Sequence, residues 1–190
     1  MIALMVLVRK EDVGHAALSR MARDDVVSLL IDGVAVAPDL RQSSAARALA
    51  LQPMVPRRGA VSGLAALWVC GVTADSLAPT RIVIAVPRGS HPDAPPHTPP
   101  SRWAFYTHHE ACLRAVSFSG IRVVPVAFAV TCALKRAPLA LAFAATVAAV
   151  RGGSVTIAQI SEAVSREKDG AGAPRLRSAW EAAQGALKAA

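Results

Sequence analysis

Residues 121–150 read IRVVPVAFAVTCALKRAPLALAFAATVAAV, and the way this stretch folds decides the rest of the chain. It reads as a short strand that turns at Pro125 into an apolar helix, a break at Lys135 and Arg136, and a second apolar helix starting at Pro138. Both prolines stand where a helix begins, a position whose N–H has no helical acceptor to lose. In the second helix Leu139, Phe143, Val147 and Val150 share one stripe, while Ala140, Ala144, Ala145 and Ala148 leave the remaining surface small enough for close packing. The pair is expected to be a core that other elements cover. The apolar runs on either side of Lys135-Arg136 are about a dozen residues each, against the roughly 20 that a bilayer helix needs. Two adjacent cations at mid-depth would also be costly, so no membrane partner is expected.

Around this stretch, 190 residues that are 53% hydrophobic can build one sizeable domain and a small appended one, and they exclude disorder as a class. The opening MIALMVLVRK has no positive charge before its apolar run and no small-residue cleavage pattern. It reads as a first strand or core segment, and the expected location is the cytoplasm. Cys70, Cys112 and Cys132 are far apart and form no C-x-x-C pair, which points to buried or semi-buried thiols in a reducing compartment. The net charge of +8 divides unevenly, as +1 over residues 1–75, +6 over 76–160 and +1 over 161–190. Such a balance suits a polyanion partner, and the excess lies in the middle of the chain.

Before the middle comes RKEDVGHAALSRMARDDVVSLLIDGVAVAPD, residues 9–39. A helix is expected near His15–Arg23, with Leu18 and Met21 at spacing three, followed by two β-prone runs about Asp32-Gly33. Aspartate-glycine between apolar runs is a hairpin signal, because a type I′ turn needs positive φ at both central residues. Helix followed by ribbon is the ending of a winged helix-turn-helix, in which the helix enters the major groove and the ribbon lies along the backbone. Arg20 and Arg23 would then face DNA, with Arg9 and Lys10 as further contacts. Asp24, Asp25 and Asp32 lie close to that face, and solvated surface arginines remain the plainer reading.

Further along, a serine cap at Ser43 or Ser44 opens a helix through Leu51, and a second helix is expected over Val61–Cys70, stopped by Gly71. Arg57 and Arg58 precede that second helix, near an end that favours anions. RIVIAV at 81–86 and RWAFYTH at 102–108 read as strands of one sheet, separated by a proline-rich loop at 87–102. Ser119-Gly120 turns the chain between two further β-prone runs. After the helical pair, Thr156 and Gln159 have capping-box spacing, with Ile157, Ile160 and Val164 as the buried stripe. A last helix over 175–190 presents Leu176, Trp180 and Ala183.

Catalytic chemistry is hard to find. His108-His109-Glu110 with Cys112 has the residue types of a metal site, but adjacent histidines on a strand point to opposite faces and the order is not H-E-x-x-H. Gly89-Ser90 with Asp93 is similar to the opening of a nucleotidyltransferase site, which needs paired carboxylates for its metal ions. Residues 76–160 contain only Asp93 and Glu110 as acids, and neither a phosphate-binding G-x-x-x-x-G-K nor a G-x-S-x-G elbow occurs. The expectation is a non-enzyme with no catalytic residue, no cofactor and no metal.

Three stretches resemble the antitoxin of the abortive-infection AbiEi family, particularly its actinobacterial members. DDVVSLLIDGVAVAPD is similar to that family's wing, with Gly33-Val34-Ala35-Val36 lacking the usual tyrosine. RRGAVSGLAALWVCGV is similar to the helix after the wing. Residues 119–164 resemble the segment with a glycine, a proline turn and a helix, except that Cys132 stands near the usual aspartate. The resemblance covers most of the chain in diffuse patterns, without the endonuclease-like domain that some relatives carry at the C-terminus. It implies a mixed α+β fold: a short winged-helix-like module over 1–40, then an α/β domain over 41–190 in which apolar helices pack a small sheet. It also implies DNA binding at the chain's own promoter and neutralisation of a nucleotidyltransferase-like toxin, with direct binding of the toxin left open. The alternative is a non-catalytic scaffold that keeps the fold and binds a partner without reading DNA.

Overall fold

The computed structural model describes residues 7–31, 33–73, 81–90, 102–167 and 172–189. Two sheets organise it. The first is built from β1 (Val8–Arg9), β2 (Ser28–Ile31) and β3 (Val34–Val36), antiparallel in the order β1-β3-β2, with α1 (Lys10–Val13) and α2 (His15–Arg23) between β1 and β2. The β2–β3 hairpin forms where the Asp32-Gly33 signal places it, with Ile31 opposite Val34 and Gly33 at φ +76°; Asp32 itself lies outside the described residues.

From α3 (Ser44–Ala50), capped by the Ser43 hydroxyl, the chain enters β4 (Ala60–Ser62) and turns at once into α4 (Gly63–Val69). The sequence expectation of a continuous helix from Val61 is corrected here. Ala60–Ser62 is instead a central strand, antiparallel to β5 (Ile82–Val86) and, at Val61, parallel to the later β8. Gly63, at φ +58°, makes the abrupt strand-to-helix turn, a conformation that side chains with a Cβ rarely adopt.

β6 (Trp103–Thr107) pairs with β5 in parallel, so the two strands share one sheet as expected; residues 91–101 of the proline-rich stretch between them lie outside the described residues. Then come α5 (His109–Leu113), β7 (Val116–Phe118) and β8 (Ile121–Val123), giving a five-stranded sheet in the order β6-β5-β4-β8-β7. Ser119 at φ 49° and Gly120 at φ 83° give the β7–β8 hairpin its two left-handed central residues.

Residues 121–150 form a strand, a helix and a helix as expected, except that Lys135 and Arg136 are the last turn of the first helix and the break falls at Ala137. Pro125 caps α6 (Val126–Arg136), and Pro138 caps α7 (Leu139–Arg151). Every residue of α6 from Phe128 to Leu134 is buried, because α4, α7, α8 (Ile157–Arg166) and α9 (Ala173–Ala189) all pack on it. Thr131 and Thr146 survive in this setting by donating to the carbonyls of Phe128 and Ala142 within their own helices.

The outcome for α7 differs from the sequence reading. Its buried face is Ala142, Ala145, Thr146 and Ala149, whereas Leu139 and Leu141 are 44% and 39% exposed and Phe143, Val147 and Val150 are only half-buried. Close approach of α7 to α4, α6 and α9 admits only small side chains at the contact, so the larger ones are turned outward. The capping box of α8 forms in full, with Thr156 Oγ1 accepting from Gln159 N–H and Gln159 Oε1 accepting from Thr156 N–H. In α9, Leu176, Trp180 and Ala183 are buried as expected. Among the described residues no helix is long and apolar enough to cross a membrane.

Candidate nucleic-acid interface

Helix α2 begins at Gly14, whose φ of 83° lets the chain leave α1 sharply, and it divides its surface cleanly. Leu18, Met21 and Ala22 turn inward against Val8, Val27 and Ala35, a small cluster separate from the main core. Outward lie Ala16, Ser19, Arg20 and Arg23, all exposed. Their spacing of three, four and seven residues puts them on one line of the helix. No acid interrupts the helix, and its last turn holds both arginines. Arg23 Nε is 3.6 Å from Asp24 Oδ1, with 76% and 56% of the two side chains exposed, a pairing that holds the guanidinium only weakly.

The other predicted contacts have different positions. Arg9 is half-buried in β1, and its Nη2 donates to the Leu49 carbonyl at 3.4 Å, tying the first sheet to α3. Lys10 donates its backbone N–H to Gly33 O at 2.8 Å, and its stem lies so close to Gly33 that a Cβ there would meet Lys10 Cδ at 2.6 Å. Both residues serve the base of the hairpin. Arg57 and Arg58 are exposed but precede strand β4, so they do not stand at a helix N-terminus as the sequence suggested.

Nor is the ribbon a free wing. Val34, Ala35 and Val36 are all buried, Ala35 beneath α2 and Val34 and Val36 in the main core together with Leu30. A strand covered on both faces is a packing layer, whereas the edge strand β2 leaves Leu29 exposed and α2 presents the exposed basic line of this module.

A second constellation escaped the sequence reading. Glu167, at the end of α8, accepts from Lys135 Nζ at 2.6 Å and from His108 Nε2 at 3.1 Å, with only 10% of its side chain exposed. His108 caps α5 by accepting the Ala111 N–H on Nδ1, so its ring proton is assigned to Nε2, facing the carboxylate. This corrects the expectation of two histidines on a strand: His108 is a helix cap and His109 the first residue of α5. Burial raises the Glu167 pKa, but the hydrogen bonds from His108 and Lys135 and the Lys135 charge outweigh it and hold the carboxyl down at about 2.

Beside this node, Ser62 Oγ and Tyr106 Oη are 2.7 Å apart, with Cys132 in hydrogen-bonding reach of both and the Arg136 guanidinium 4.7 Å from the Tyr106 ring centre. Burial pushes the Cys132 thiol up and the Tyr106 phenol well above its usual range. Ser62 and Cys132 are 0% and 1% exposed. The Cys132 thiol and the Tyr106 phenol are thereby kept protonated beside the ionised Glu167, and with Ser62 they form a polar cluster at the edge of the core. Its members are scattered from residue 62 to residue 167. Such dispersal leaves no local motif from which it could have been read. Among the described residues no group of three or more His, Cys, Asp or Glu is placed to hold a metal ion.

No family model and no curated protein matches this chain.

Proposed function

We propose that the chain is a DNA-binding autoregulator of antitoxin type, without catalytic activity of its own. The observation that carries this reading is the outward line of α2, where Ala16, Ser19, Arg20 and Arg23 stand exposed on a helix seated on its own small core. Arginine and serine supply donors to phosphates and to base edges, and alanine is small enough to let the backbone close on a thymine methyl. A pI near 10.4 supports association with a polyanion. The antitoxin part rests on the resemblance of residues 24–39, 57–72 and 119–164 to the AbiEi family, and the toxin to be neutralised would be a nucleotidyltransferase-like protein encoded nearby.

The test is fluorescence anisotropy of the purified chain with a labelled fragment from upstream of its own reading frame, over a salt series. Binding should weaken steeply with salt, since each phosphate neutralised adds about 0.9 to the slope of log K against log salt. Absence of binding even at low salt would sink the regulator reading.

One observation favours a second reading. Because β3 is covered on both faces, the module lacks a projecting wing, as expected of a partner-binding scaffold that no longer reads DNA. Under that reading, rescue of a cell from the neighbouring toxin survives loss of both Arg20 and Arg23.

A further inference from the structure

The β7 end of the five-stranded sheet carries a surface that neither α2 nor the Glu167 node uses. β7 is the terminal strand there. Its Val116 is 55% exposed and Leu113, at the end of α5, is 69% exposed, so two aliphatic side chains three residues apart stand in solvent. Arg114 follows Leu113 directly in the chain. Arg122, opposite Ser117 across the β7–β8 pair, donates through Nη1 to Arg58 O at 3.5 Å and through Nη2 to Cys112 O. Those two bonds draw Arg57-Arg58, Arg122 and the α5 end with Arg114 into one patch, in which Arg57, Arg58 and Arg114 are exposed. The neighbouring carboxylate, Glu110, is shared between Arg114 at 3.1 Å and Arg166. Arg166 is also held by Glu162, so five arginines stand beside two acids and leave positive potential around an aliphatic centre.

We propose that this corner docks an extended acidic segment of a partner protein, in which carboxylates alternate with aliphatic side chains. Charge complementarity selects the acid. Leu113 and Val116 select protein over nucleic acid, because a sugar-phosphate backbone gives an exposed leucine nothing apolar to bury against. An extended conformation follows from the strand: a terminal strand can take one more by main-chain hydrogen bonds, and the added segment then points successive side chains to opposite faces. One face meets the arginines and the other meets Leu113 and Val116. Arg57 and Arg58 are thereby assigned to this partner, and the α2 surface stands apart from it.

The experiment is anisotropy of the full chain with a labelled synthetic peptide of alternating glutamate and valine, with an unlabelled DNA duplex as competitor. Saturable binding is expected, weakened about tenfold by Arg57→Ala with Arg114→Ala and about fivefold by Leu113→Ser. These three side chains are exposed, so circular dichroism should show the variants folded. Arg20→Ala with Arg23→Ala should leave peptide binding unchanged while severely weakening DNA binding, which keeps failure here separate from failure of the regulator reading. Two outcomes overturn the proposal. One is no saturable peptide binding; the other is binding that the duplex displaces and Leu113→Ser does not alter, which makes the corner a phosphate-binding surface.

Discussion

Glu167 and the arginines of α2 are charged groups at the ends of helices, and the fold treats them in opposite ways. Glu167 is 10% exposed and held by two partners from two other elements, whereas Arg23 is 76% exposed and, among the described residues, meets the neighbouring Asp24 at 3.6 Å. A charge removed from water among fixed donors belongs to the fold, and losing it costs stability. A charge left in water contributes little to the fold and keeps its donors for a ligand. The two surfaces can therefore be separated by substitution, each change moving one property and sparing the other.

The largest expected effect is at Glu167. Its carboxyl is held at about 2 against an ordinary value of 4.5, a difference that corresponds to about 3 kcal/mol of stability. Because the folded value is the lower one, this contribution is complete above pH 4.5 and is lost as the pH falls from there toward 2. Glu167→Gln should lower unfolding free energy by about 3 kcal/mol at neutral pH, measured in urea. Its stability should then converge on that of the wild type as the pH falls to 2 and below, since the folded wild-type carboxyl is half protonated at about 2 and neutral below it. Parallel curves that never converge would remove Glu167 as the source.

Next in size is the inversion of α7. Ala145 is 1% exposed at the helix contact, and Ala144, one position away, is exposed. Ala145→Leu should cost about 1–3 kcal/mol by overpacking, while Ala144→Leu should stay within about 0.5 kcal/mol. Thermal or chemical denaturation of the pair measures both. Equal effects would mean that the buried face has been assigned to the wrong side of the helix.

These two cases show what the sequence reveals and what it hides. The helices of residues 121–150 were legible because their starts are written locally, in Pro125 and Pro138, and the same holds for the Thr156–Gln159 cap and the Ser119-Gly120 turn. Which side of α7 is buried was not legible. A helix that is apolar nearly all round carries no periodic signal to orient it, and neighbours settle the matter. The Glu167 node was hidden for a different reason: its partners lie 59 and 32 residues away, and a lysine, a glutamate and a histidine far apart in sequence each look like surface residues. The exposed line of α2 was half legible. Arg20 and Arg23 stood out by charge, but Ala16 and Ser19 joined them only once the buried face was known, and the burial of β3 that removes the wing was not foreseeable from an aspartate-glycine turn. A smaller, local effect follows at the cap: Thr156→Ala should cost about 1 kcal/mol by freeing the Gln159 N–H, measurable as a shift in the urea midpoint.

Smallest in stability, and most informative about function, is Arg20→Ala combined with Arg23→Ala. Both side chains are exposed, so unfolding free energy should change by less than about 0.5 kcal/mol. DNA affinity should fall severely, and the slope of log K against log salt should shrink by about 2 if each guanidinium neutralises one phosphate. Lysine at both positions separates phosphate contact from base reading. It keeps the charge, so the salt slope should return, but it lacks the planar fork that meets guanine through two bonds, so discrimination between the upstream fragment and unrelated DNA should not return with it. If lysine restores discrimination as well, the arginines act as point charges and sequence is read by Ala16 and Ser19 or by the shape of the duplex. If neither variant changes DNA binding, α2 is not the reading surface, and the contrast with Glu167 reduces to one between a buried charge and a solvated one.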